Sequence, residues 1–179
     1  GDSIPKDHME VDVIEFTGPA FKKVDNRLMS LKLVETGLAN AAIFNPQGAM
    51  IEPSELFYKK SVMIQRGSFR PVTKLAMDML EGSMAEFIQE PKVESKEVVT
   101  LLEMSLQNLT TTNEDKKIDP KDFLERVDCL SALGFPVAIS NYGEFYRLAA
   151  YLFRYTQKTI GITMGVPTLK EVFNEKYYE

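Results

Sequence analysis

The chain has 179 residues, 44% of them hydrophobic and 26% charged, which is the size and apolar content of one compact domain and excludes a fibre or a wholly disordered polymer. Its 26 acidic side chains outnumber 21 basic ones, so the overall field repels polyphosphate and disfavours generic nucleic-acid binding. A single cysteine, Cys129, rules out an internal disulfide and a cysteine-rich zinc site, and no apolar run approaches the roughly 20 residues of a membrane span; a cytoplasmic protein with no membrane partner is the expectation.

Residues 1–8 are polar and begin with Gly, which reads as a tag remnant or a cut inside a longer protein. From Glu10 to Phe16, Val11, Val13 and Phe16 alternate with acidic neighbours, the period-2 pattern of a strand, and Thr17-Gly18-Pro19 stops it. Asp25 is placed to cap a helix over 26–36, with Leu28, Leu31 and Val34 on its inner face and Gly37 ending it. Ala41 to Phe44 predicts a strand, and Asn45-Pro46-Gln47-Gly48 a hairpin turn. Ser61 to Gln65 predicts another strand. Pro71 then suits the first turn of a long helix whose inner stripe reads Val72, Leu75, Ala76, Met79, Leu80, Phe87 and Ile88. Gly82 weakens that helix by about 1 kcal/mol relative to Ala, so a kink or break is expected there.

The polar stretch 91–97 is the candidate subdomain boundary. Beyond it the pattern is more regular. Val98 to Leu102 is a continuous apolar run, as in a strand covered on both faces. Thr110 to Lys117 reads as a loop, and Asp119-Pro120 opens a helix with Phe123, Val127 and Leu130 inward and Gly134 as its stop. A strand at 137–140, a helix at 144–155, a strand at 159–164 and a last helix at 168–177 follow; Thr168 and Glu171 have capping-box spacing. Strand and helix thus alternate, which requires parallel strands joined by crossovers. The predicted fold is α/β: one three-layer domain with a mostly parallel sheet and an irregular or antiparallel edge near 45–65.

In such a sheet, ligands bind beyond the carboxyl ends of the strands. That rule selects Glu103, Ser105 and Asn108 after one strand, Asn141, Tyr142 and Glu144 after the next, and Gly165 and Thr168 after the third. Thr163 to Thr168 leads into a predicted helix start and presents backbone N–H groups to an anion, although a plain capped helix is the favoured explanation. Lys59, Lys60, Arg66 and Arg70, interleaved with Tyr58 and Ser68, are the one local concentration of positive charge. Arg66, Ser68 and Arg70 are the anion-binding candidates, because guanidinium groups match phosphate and carboxylate geometry, whereas the lysines read as solvated guards of a strand edge. Glu103 or Glu144 is the candidate general base if the domain is catalytic.

Other chemistries are poorly supported. The lone histidine, His8, lies in the polar start, so histidine triads and histidine metal sites are excluded, and no metal is expected. Cys129 reads as a packed small hydrophobe. Residues 113–119 have a faint calcium-loop look, but Ile118 stands where the loop requires Gly. Neither G-x-G-x-x-G nor G-x-x-x-x-G-K-[ST] occurs. Tyr142, Tyr146, Tyr151 and Tyr155, with Phe145 and Phe153, surround a helix and suit core packing or a homo-oligomer contact.

Three stretches, F-T-G-P-A-F-K-K-V-D-N-R-L-M-S-L-K-L-V-E-T-G-L (residues 16–38), F-Y-K-K-S-V-M-I-Q-R-G-S-F-R-P-V-T (57–73) and S-N-Y-G-E-F-Y-R-L-A-A-Y-L-F-R-Y-T (140–156), resemble a family of long bacterial proteins. Its members are sometimes labelled as related to nicotinate or nicotinamide mononucleotide adenylyltransferases, and they extend past both ends of this chain. Nucleotidylyl transferases of that class carry an H-x-G-H motif that is missing here, so the resemblance implies a bacterial source and a nucleotide, and no catalytic residue. The functional expectation is a domain that binds a small anionic metabolite, a nucleotide among them, with or without catalysis; the alternative is a non-catalytic scaffold or oligomerisation domain of a larger protein. Which cofactor, if any, is not specified by these residues.

Overall fold

A computed structural model of the chain describes residues 14, 15, 18, 25–70, 72–110, 117–163 and, for the backbone alone, 171–173. His8, Gly165, Thr168 and most of the expected strand at 10–16 fall outside them; Ile14 and Glu15, which are described, are in no strand.

Asp25 caps α1 (Asn26–Glu35) by accepting from the Arg27 N–H at 2.9 Å, and Gly37, at φ 78°, follows the helix end. β1 (Ala41–Phe44) leads into the turn at 45–48, whose Asn45 side chain accepts from the N–H groups of Gln47 and Ala49. The turn reverses the chain, but its second arm is a single bridge between Phe44 and Met50; a short helix α2 (Pro53–Phe57) follows in place of a hairpin strand. β2 (Ser61–Arg66) is buried along its whole length. α3 (Lys74–Phe87) begins at a Thr73 cap and runs unbroken through Gly82. β3 (Val98–Ser105), the single turn α4 (Leu106–Leu109), α5 (Pro120–Ala132), β4 (Val137–Ser140), α6 (Phe145–Phe153) and β5 (Ile160–Thr163) complete the alternation. The expected last helix is overturned where it is described: 171–173 form β6, antiparallel to β5. A capping-box spacing specifies a helix start only where the following residues have a face to bury, and here the open flank of β5 takes the segment as a strand.

One six-stranded sheet holds strands from both sides of residues 91–97, in the order β1-β4-β3-β2-β5-β6. The four inner strands are parallel, and the two edges are antiparallel. The antiparallel edge therefore lies at β1 and β6, whereas β2, expected near an edge, is central. Side chains alternate across the sheet. Phe44, Met63, Leu102, Met104, Val137 and Ile139 meet α1, α3 and α5, with the Phe44 and Phe123 rings edge-on at 6.4 Å. Ile43, Val62, Ile64, Leu101, Ile160 and Ile162 meet α2 and α6 on the other face. Helices on both faces make the three layers.

The phase of α3 differs from its predicted stripe. Leu80, Ser83 and Phe87 face the sheet, while Leu75 is 64% exposed and Ile88 lies outside. A helix rich in Leu, Met and Ala offers two apolar stripes, and the position of Thr73 selects which one turns inward. Cys129 is likewise exposed on α5, not packed. No helix of the described residues is long and apolar enough to cross a membrane.

Candidate functional site

The topology fixes where a site can form. Progress from β2 to β3 to β4 runs in one direction across the sheet, with α3 and α5 on one face. The connection from β4 then passes α6 on the opposite face and returns to place β5 on the far flank of β2. Crossovers of one hand require this change of face when direction reverses. The reversal lies between β2 and β5, the position in an open α/β sheet where ligands bind beyond the carboxyl ends of the strands. Gln65 and Thr163 are register partners at these strand ends.

Arg66, at the end of β2, is 6% exposed. Its Nε–H donates to Glu103 Oε2 at 2.7 Å and its Nη2 to Oε1 at 3.0 Å, with the same Nη2 reaching the Tyr142 carbonyl at 2.7 Å and Nη1 the Gly143 carbonyl at 2.9 Å. The Phe145 ring lies 5.1 Å from the guanidinium carbon. Glu103, fully buried on β3, also accepts from the Ser140 hydroxyl at 2.6 Å. Parallel register brings this about: Arg66 stands opposite Glu103, and Ser140 ends the next strand on the same face. A carboxylate so enclosed is a partner for Arg66, with no face turned to a substrate. Nor is Arg66 open to an external anion, since it is buried and four of its five N–H groups are committed within the chain.

A second arginine organises the other face. Arg126 on α5 is buried and uses all five of its N–H groups: Nη1 on the Ser68 and Asn108 carbonyls (2.9 and 3.0 Å), Nη2 on the Leu109 carbonyl (3.2 Å), and Nε and Nη2 on Asp122 (3.0 and 2.5 Å). It thereby ties the exit loops of β2 and β3 to α5. Asp122 also pairs with Arg70. Burial alone would raise the Asp122 carboxyl, but the hydrogen bonds from Arg126 and Arg70 outweigh it and hold the group below the usual carboxylate value. Sequence reading passed over Arg126. Its signal was a charge inside the apolar stripe Phe123, Val127, Leu130, where an unpaired arginine would be costly.

The remaining predicted residues are dispersed. Ser68 and Arg70 are exposed, Arg70 at 42%, on the loop that leaves β2 and is held against α5 by Arg126 and Asp122. The Asn141 N–H donates to the Asn40 carbonyl at 2.9 Å and its side-chain amide to Asn40 Oδ1 at 3.3 Å, tying this loop to the start of β1. Tyr142 is half-buried against Tyr151, with ring centroids 5.5 Å apart. Glu144 is exposed and pairs with Arg147 at 3.1 Å. Ser105 and Asn108, selected as strand-end ligand groups, instead cap α4 reciprocally. Lys59 and Lys60 precede a central strand, so they guard no edge. Three buried polar side chains lie on the α3 face near the ends of β2 and β5: Gln65, Thr163 and Ser83, whose hydroxyl lies 3.5 Å from that of Thr163. Gln65 Oε1 is buried and accepts no hydrogen bond among the described residues.

A sizeable cavity among the described residues lies elsewhere. A polar recess of about 700 Å³ opens at the amino-terminal rim of the parallel strands, between α1, the 45–48 turn and α5. Within it Arg27 bridges Asp25 at 3.0 Å and Asp128 at 2.5 Å. No grouping of His, Cys, Asp and Glu among the described residues is arranged to hold a metal ion. Compared with models of protein families, with curated proteins and with solved structures, the chain matches none.

Proposed function

We propose that this chain binds a small anionic metabolite, a nucleotide among the candidates, at the carboxyl ends of the parallel strands. The observation that carries this is the strand order, which puts the reversal of winding direction beside β2, where sheets of this class take their ligands. Arg70 and Ser68 are exposed polar side chains on the loop that leaves β2, and the resemblance to proteins labelled as nucleotide adenylyltransferase relatives points to the same ligand class. Arg66 and Tyr142 act from below, holding the loop that flanks the site. If the bound molecule is also transformed, Glu144 is the carboxylate with solvent access, and Glu103 positions Arg66. A bacterial cytoplasm, with its reducing conditions, suits the single exposed cysteine.

A thermal-shift panel of nucleotides, phosphosugars and dinucleotides tests this reading. Stabilisation by a phosphorylated compound that disappears in Arg70→Ala is the expected result. Absence of any shift, together with a stable dimer in solution, favours a scaffold or oligomerisation domain. That second reading has its own support, because Arg66 and Arg126 turn much of the rim's polar capacity inward.

A further inference from the structure

We draw no further inference here: the strongest candidate, the polar recess between α1, the 45–48 turn and α5, gathers Glu15, Asp25 and Asp128 around an arginine that the two aspartates already occupy, and no second observation among the described residues points to what this acidic cluster would bind.

Discussion

The Arg66–Glu103 pair is held across two parallel strands with almost no solvent contact, so its members are not independently replaceable. Glu103→Gln keeps the shape and removes the charge, leaving a guanidinium buried beside a neutral amide; the expected loss is about 3 kcal/mol in urea unfolding. Replacing both partners by Met and Leu should recover most of that loss, because two charges then leave the interior together. A single-variant loss below about 1 kcal/mol would mean that water reaches the pair. At Arg126 the geometry matters more than the charge. Lysine carries one point of charge and cannot reach the Ser68, Asn108 and Leu109 carbonyls together, so Arg126→Lys should lower stability by about 2 kcal/mol, measured in the same way. An unaltered midpoint would show the carbonyls to be satisfied by water.

Elements were legible where local chemistry decides them. Asp25, Asp119 and Gly37 announced helix ends because capping and left-handed backbone depend on neighbouring residues alone, and the structure has each in that role. Gly37→Ala tests the last of these. No atom lies within 4 Å of where its Cβ would stand, so the cost comes from the backbone at φ 78°, about 1 kcal/mol, read as a lowered melting temperature. Asn at the same position should cost less. What long-range pairing decides was not legible. The rotation of α3, which leaves Leu75 outside and Ser83 inside, depends on how the helix that starts at the Thr73 cap seats on the sheet. The edge strand at 171–173 depends on β5 having an open flank, which no local pattern encodes. For the candidate site, the strand-end rule reached Glu103 and Tyr142 and the concentration of positive charge reached Arg66, and the structure joins these three. Both signals missed Ser140 and Arg126, whose contacts appear only once register and packing set the elements side by side.

At the scale of the whole molecule, two carboxylates link folding to acidity. Asp25, like Asp122, is pushed up by burial and pulled down further by arginine: hydrogen bonds from the Arg27 side chain and backbone N–H hold it below 3.8. Groups depressed in the folded chain contribute stability that is complete above their unfolded value and is lost as the pH falls through the lower folded values. The urea midpoint should therefore drop between neutral pH and about pH 3, and Asp122→Asn should flatten that slope. An equal slope in the variant would show that the arginine pairs contribute nothing to acid sensitivity.

The order of strands also shapes how the chain can be born. β2 lies between β3, which follows it closely, and β5, which ends only at Thr163. A nascent polypeptide leaving the ribosome therefore carries an apolar central strand with one naked flank until nearly all of the described residues have emerged. Translation that stalls inside α6 would release a molecule prone to pair with its own copies along that flank, and a holdase chaperone that shields short hydrophobic strands has a defined interval in which to act.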